Sequence, residues 1–551
     1  MRHLIILLFA LPLAIISLSA QENTSVYEYS SEIKLRPQDE YDGLLHSDTT
    51  GYLINIFENR GRGILDLPGN RLILEKYDTK FKQVFSYEYG DENMITLDII
   101  SMDTYLAWIV MEKVGSYRYA CSMIPIYMDG KQGQKEFLYE TPIEKLSQVP
   151  YTFVKKSPNG QKLSIIALFD ANSKKESVEI FTTVVNDKGT IQWDKFTTLR
   201  GNQKQYNISD FEVTDSGEIV CVSKVYKDEK AKDKVKNRRD QEVAGYSMNL
   251  FKINHNTTKP QKVTLEVEGE FVHDASIKIL ESGDIICSGL TSTKHNGNIT
   301  GIFYARYQSD FVPIEMDTKR FNFNDLVDLS QEEIDVNIKK KKKMGIDNNY
   351  DLSDIIPLSD GSILMTMEQN YIRSSTTGYN NFDPAFSRGI NSRQRTDTYL
   401  VSNDILIVNV TSRGEISQIN IVPKKQSFLI QTGFFRPSID VETTRKSSPY
   451  LSYSYFIKND QVYFIYNDHK DNLVESTRSK RKILHRFNQI ESALVSINNL
   501  EAPGYFFADQ DEDLVVSPTR SKQIGENKLF FSTIQPAGRN SVLRIGVMTF
   551  N

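Results

Sequence analysis

Three cysteines and seven histidines in 551 residues leave little from which to build a disulfide framework or a metal centre. Cys121, Cys221 and Cys287 each sit in an apolar run (RYACSMI, EIVCVSK, DIICSGL), which predicts buried free thiols packed as small hydrophobes. Paired CxxC and HxxxH spacings are lacking, so no zinc site and no other metal is expected. Also missing are a GxSxG elbow, a P-loop, a GxGxxG after a strand and an HExxH, so the common hydrolase, nucleotide and metalloprotease signatures are absent and no cofactor is expected. Charge of one sign is lacking too. With 66 basic against 71 acidic residues the formal charge is −5, so no global field draws the chain to nucleic acid or to an anionic membrane.

One long apolar run exists, at the amino terminus: MRHLIILLFALPLAIISLSAQEN. Arg2 and His3 precede an apolar core from Leu4 to Ile16, and small residues lead to Ala20. This is the pattern of a secretory signal peptide over residues 1–20; a retained anchor is the alternative, although the run is shorter than the ~20 residues a span needs. The mature chain, 21–551, is expected to be secreted or to lie in the periplasm or cell envelope, with no transmembrane segment, and to be a monomer. Asn-x-Ser/Thr sequons at Asn23, Asn207, Asn256, Asn298 and Asn409 would matter only in a eukaryotic secretory route.

What is abundant is a turn followed by a β run. It recurs as SPNGQKLSIIALF from Ser157, TDSGEIVCVSKV from Thr214, LESGDIICSGL from Leu280 and LSDGSILMTMEQ from Leu358, with a looser copy, KNDQVYFIYND, from Lys458. The Gly of each turn can supply the positive φ of a tight hairpin, and the apolar runs are too short for helices. Between these marks lie further strand–turn units such as VEIFTTVVNDKGTIQW and DILIVNVTSRGEISQINIV. About four short strands per repeat, at a spacing above ~40 residues, is the signature of a β-propeller blade. The expectation is an all-β fold: a single β-propeller of about seven four-stranded blades, six or eight being allowed. Two successive β-sandwiches joined near the middle are the alternative. The final strand, SVLRIGVMTF, is expected to complete a blade begun near the mature amino terminus.

Three insertions interrupt the pattern. Residues 323–349 open with amphipathic helical spacing and run into Lys339–Lys343, predicting a solvated helical insertion over 323–343. Residues 227–240 mix both charge signs and read as an exposed hairpin tip. Residues 372–395 are rich in Ser, Asn, Gly and Arg and carry Tyr379, Phe382 and Arg388, the composition of a recognition loop or of an ordinary mobile one. The turn NDKGTIQW is similar to the Asp-box of sialidase-type propellers, but its Trp193 falls one residue too late and the motif does not recur. In VYFIYNDHKDNL an apolar strand ends in Asn467, Asp468 and His469. Neighbouring residues on a strand point to opposite faces, so Asp468–His469 and His273–Asp274 cannot act as chelating or relay pairs, and a hairpin mouth is the plainer reading.

The segments GDIICSGLTSTK, GIFYARY, DLSDIIPLSDGSILMTMEQNY, DILIVNVTSRGEISQINIVPKKQ and VYFIYNDHKDN lie within 215–472. Through them the chain resembles a family of uncharacterised secreted propeller-like proteins from Bacteroidetes-type bacteria. PKKQ at 423–426 and Asn467–His469 are the most specific marks of that resemblance, which implies an envelope or secreted location and no known activity. The leading expectation is a non-catalytic binding or scaffold protein that presents a loop face to a protein or glycan ligand. Asn467, Asp468, His469, Tyr379, Phe382 and Arg388 are its candidate binding residues. The rival is a secreted polysaccharide hydrolase or lyase, with ionisable groups from several blades converging in the central funnel.

Overall fold

In this computed structural model the described residues are 25–59, 70–91, 93–143, 150–169, 177–201, 205–228, 234–236, 242–257, 259–293, 298–322, 325, 345–346, 349–379, 393–433, 448–474, 481–500, 504–507, 514–537 and 540–550. Eight four-stranded antiparallel sheets succeed one another along the chain and form a propeller. Blades 1 to 7 span 39–89, 94–142, 151–200, 206–265, 271–320, 350–433 and 453–505. Blade 8 takes Lys522–Gly525, Lys528–Ala537 and Asn540–Phe550 from the end of the chain and Ser25–Tyr29 from its beginning, and the short strand Ile33–Leu35 adds a fifth segment beside Asn540–Phe550. The blade count is eight, within the expected six to eight, and the joining of first and last strands also follows the expectation.

Apolar clusters between blades close the ring. Tyr105, Ile109 and Cys121 of blade 2 meet Leu163, Ile165 and Phe181 of blade 3. Similar clusters recur at each interface, ending with Tyr52 and Ile54 of blade 1 against Phe530 and Ile545 of blade 8. This sandwiching explains the sequence pattern. Second strands such as Ile285–Ser292 are covered on both faces, so they read as unbroken apolar runs. An outermost strand such as Pro313–Arg320 is covered on one face and alternates.

The recurring turns lie where the repeat places them, between the first and second strands of blades 3 to 7. Gly160, Gly217, Gly283 and Gly361 take φ of 74 to 86°, and in the looser copy Asn459 and Asp460 carry φ of 49 and 60° instead. Cys121, Cys221 and Cys287 are free and buried, and burial pushes the thiols of Cys121 and Cys221 up to about 12. Such thiols stay protonated at neutral pH.

Two sequence readings change. Residues 372–395 are not a loop throughout: strands Ile363–Tyr379 and Arg393–Val410 pair continuously as far as Tyr379↔Arg393. The strand Gln461–His469 does not end in a hairpin; it enters a five-residue helix, Lys470–Val474. Within 227–240 the described residues begin a small ribbon, Lys234–Lys236 with Glu242–Ala244. Apart from residue 325, the expected helical insertion over 323–343 lies outside the described residues. No helix among them is long and apolar enough to cross a membrane.

Candidate functional site

Blade 6 departs from its siblings. Its second, third and fourth strands run 17, 18 and 18 residues, whereas the longest described strands elsewhere reach 11. Beyond the blade proper, about ten paired residues per strand continue as a three-stranded arm, a projection of ~33 Å at ~3.3 Å per residue. The sheet changes register at one level on all three strands, between Glu368 and Asn370, between Asn403 and Ile405, and opposite Pro423–Lys424. Such bulges bend and twist a sheet. Glu368 and Lys424 lie at this level, in contact with Ser452 and Gln426 at the approach to blade 7.

A buried polar network fills that bend. Lys424 pairs with Glu368, both side chains having no exposed surface. The Glu368 carboxylate also accepts from Asn370 Nδ2 at 3.0 Å, Ser402 Oγ at 3.2 Å and Ser452 Oγ at 2.6 Å. Burial pushes the Lys424 ammonium below its ordinary range, against the pull of Glu368. Gln426 accepts from Lys424 Nζ at 3.2 Å and from the Ser452 amide at 3.1 Å, and donates to the Asn467 carbonyl at 2.6 Å. The stretches PKKQ and Asn467–His469 thus meet, although they stand about forty residues apart in the chain.

Asn467 and Asp468 are fully buried and His469 is nearly so. Asn467 donates to the carbonyls of Tyr450 and Val516 at 3.1 and 2.9 Å and accepts from Ser492 Oγ at 2.8 Å, tying blade 7 to the approach to blade 8. Asp468 accepts from the His469 amide at 2.8 Å, Asn472 Nδ2 at 2.9 Å and Arg481 Nη1 at 3.0 Å, while Arg481 also donates to the Pro423 carbonyl. His469 Nδ1 accepts from the Asp471 amide at 3.2 Å, which leaves its proton on Nε2. From here the chain runs back beside the arm, where Leu484 and residues 425–427 exchange backbone hydrogen bonds of 2.9 and 3.0 Å. The network is sealed and its carboxylates are engaged, so no substrate reaches it without unpacking. What it does is clamp the base of the arm.

Of the other candidate residues, Tyr379 ends the second strand of blade 6, the first of the arm, while Phe382 and Arg388 lie outside the described residues. The structure therefore joins Asn467, Asp468 and His469 to the arm's base and places Tyr379 far out along it. Sequence reasoning passed over Glu368, Asp404, Ser452 and Arg481. The readable signal was the persistence of β-forming residues past the blade, in EQNYIRS and KKQSFLIQ.

Asp468 has a testable signature. Burial raises its carboxyl to about 6, Arg481 pulling the other way. The folded state then holds this proton more tightly than the unfolded chain, so the contribution to stability is greatest at low pH and falls as pH rises from ~4 to ~6, by on the order of 2–3 kcal/mol. Asp468→Asn is expected to flatten that part of the stability–pH curve, measured by urea unfolding from pH 4 to 7. An unchanged slope would show that this carboxyl titrates normally.

A second polar feature lines the ring's centre. In blades 2, 4, 5 and 6 the innermost strand changes register beside Leu97, Ser209, His273 and Ser353, and an aspartate follows each: Asp98, Asp210, Asp274 and Asp354. Asp210 accepts from Ser276 Oγ and from the Ile277 amide, at 3.1 Å, of the next blade, stapling neighbouring inner strands. Around it Lys155 of blade 3 lies 3.5 Å from Asp210 and 3.6 Å from Glu212, and Lys278 of blade 5 lies 4.0 Å from Glu212. Burial raises the Glu212 carboxyl above its ordinary range, against the two lysines. Ionisable groups from three blades do converge here, paired with one another. The bulge beside His273 modifies simple strand alternation, and its ring sits 2.8 Å from Ser292 Oγ. Among the described residues no group of three or more His, Cys, Asp or Glu is placed to hold a metal.

No protein-family profile and no curated protein matches the chain. Among solved structures it is similar to a protein of unknown function from Dyadobacter fermentans, at 9% identity and TM-score 0.28 over 73% of this chain and 95% of that one. A mutant of Synechocystis apocarotenoid oxygenase gives 8% and 0.29 over 73% and 96%. The WD40 domain of SCAP from fission yeast gives 6% and 0.36 over 95% and 98%. The propeller itself rests on its own strand pairing, and the chain is similar to these proteins without their chemistry being carried to it.

Proposed function

We propose that this is a non-catalytic binding or scaffold protein, secreted or held in the cell envelope, in which the propeller is a rigid base and the arm of blade 6 is the recognition element. The ligand is a protein or glycan outside the cytoplasm. The observation that carries this reading is the arm: three strands of 17 to 18 residues, clamped at their root by a sealed ionic network, in a fold whose other described strands reach at most 11 residues. Rigid projection of a sheet lowers the ordering cost of binding. The amino-terminal run supports the location, and the resemblance to secreted propeller-like proteins of Bacteroidetes-type bacteria supports both.

Ser374 and Thr398 are register partners, so joining them through Asn-Gly closes a shortened hairpin and removes 375–397, including Tyr379, Phe382 and Arg388. The shortened protein is expected to keep its unfolding temperature within a few degrees and to lose capture of envelope partners in a pull-down run beside a glycan array. Undiminished capture would overturn the role of the arm. The second reading, a polysaccharide hydrolase or lyase, is favoured by the buried Glu212 between Lys155 and Lys278. Release of reducing ends from an arrayed glycan, abolished by Glu212→Gln, would establish it.

A further inference from the structure

We propose that the inner edge of the arm, residues 372–379, receives an extended, acidic peptide segment of a partner protein as an added β-strand. The inference rests on the arm being the recognition element and names how it recognises. The second strand of blade 6 outlasts the first: their last register pair is Tyr350↔Gln369, whereas pairing on the other side continues to Tyr379↔Arg393. Among the described residues no strand lies beside 372–379 on the inner side.

Strand edges are templates for further pairing, and proteins blunt them with charge, proline or brevity. Several outermost strands of the other blades follow that rule, whereas Gln83–Tyr89 and Ser25–Tyr29 carry one charge each. Glu136–Pro142 carries Glu136, Glu140 and Pro142; Ile191–Arg200 carries Asp194, Lys195 and Arg200; Pro313–Arg320 is charged at alternate positions; Gly504–Tyr505 is two residues long. Residues 370–379, NYIRSSTTGY, contain no Lys, Asp, Glu or Pro and a single charge, Arg373. This edge is long, β-forming and unblunted.

Charge selects the occupant. The described strands of the arm carry Arg373, Arg393, Arg395 and Lys425 against Asp397, in a chain whose formal charge is −5. Arg373 is exposed and lies over the Tyr399 ring at 5.5 Å. A basic arm on an acidic protein favours a strand bearing Asp or Glu and disfavours a second copy of itself, which would set like charges side by side. Backbone pairing supplies the affinity and the side chains the selectivity. The clamp beneath fixes the edge before the ligand arrives.

The test presents a displayed library of random decapeptides to the full-length protein and reads hydrogen exchange on binding. Enriched peptides are expected to alternate β-forming residues with Asp or Glu and to protect the amides of 372–379. Thr376→Pro, which removes a donor from the edge, and Arg373→Glu, which leaves the backbone intact, are each expected to weaken them about tenfold or more, ~1.4 kcal/mol. Enrichment without acidic residues, protection elsewhere, indifference to both variants, or no enrichment at all would overturn strand addition. Concentration-dependent dimerisation lost in Arg373→Glu would replace the peptide with a second copy. If strand addition fails while the arm-shortened protein still loses its envelope partners, the recognition role stands and only this mode falls.

Discussion

Replacing Lys424 with methionine is expected to cost about 3–5 kcal/mol of folding stability, the usual penalty for orphaning one member of a buried ion pair. Glu368 would remain without exposed surface and without the lysine, beside the neutral donors of Asn370, Ser402 and Ser452. The double change Lys424→Met with Glu368→Leu removes both charges, and its cost is expected to fall well short of the sum of the singles. Urea unfolding at pH 7 of the two singles and the double reads this directly. Additive costs, or a single costing under ~1 kcal/mol, would mean that the pair is not what holds the bend. Because Gln426 and Arg481 connect the same bend to blade 7, Lys424→Met is also expected to speed amide exchange in 396–403 and 425–433 before the rest of the ring.

Removing Ser25–Tyr29 is expected to cost on the order of 5 kcal/mol and to broaden the unfolding transition. Five register pairs with the last strand are lost, from Ser25↔Phe550 to Tyr29↔Gly546. With them goes the ring of Tyr27, which packs at 5.7 to 6.2 Å against Phe506, Phe507 and Phe531. Gly546 shows how closely this strand is seated, since a Cβ there would stand 2.5 Å from the Phe531 ring and 2.7 Å from the Glu28 carbonyl. Val26, half exposed, supplies the control: Val26→Lys is expected to change stability by less than about 0.5 kcal/mol. A truncated chain that unfolds at the wild-type urea concentration would show that the ring holds closed without its first strand.

The propeller was legible because its signals are local. A Gly at positive φ and six or seven apolar residues after it are written side by side, at Gly160, Gly217, Gly283 and Gly361. The count of blades was less legible. Blade 1 turns through Asp48–Gly51 and blade 2 through Met102–Tyr105, without the SG, DG or NG mark. Blade 7 uses Asn459 and Asp460 in place of glycine. The arm was missed for a compositional reason: Ser, Thr, Asn and Arg read as loop until a partner strand supplies their hydrogen bonds.

The candidate residues illustrate the same division. Asn467, Asp468 and His469 stand out in the sequence because polar groups interrupt an apolar strand. Their surroundings cannot be read there, because Gln426, Ser452, Arg481 and Ser492 come from four other stretches of chain. The sequence by itself determined the all-β class, the four-stranded repeat, the buried thiols and the meeting of first and last strands, since each follows from local periodicity or from the need to finish a sheet. Only the tertiary structure decided that there are eight blades, that blade 6 projects an arm, and that a lysine and a glutamate 56 residues apart lock its base. Burial, and the pairing that makes burial of charge tolerable, are properties of residues brought together from distant parts of the chain.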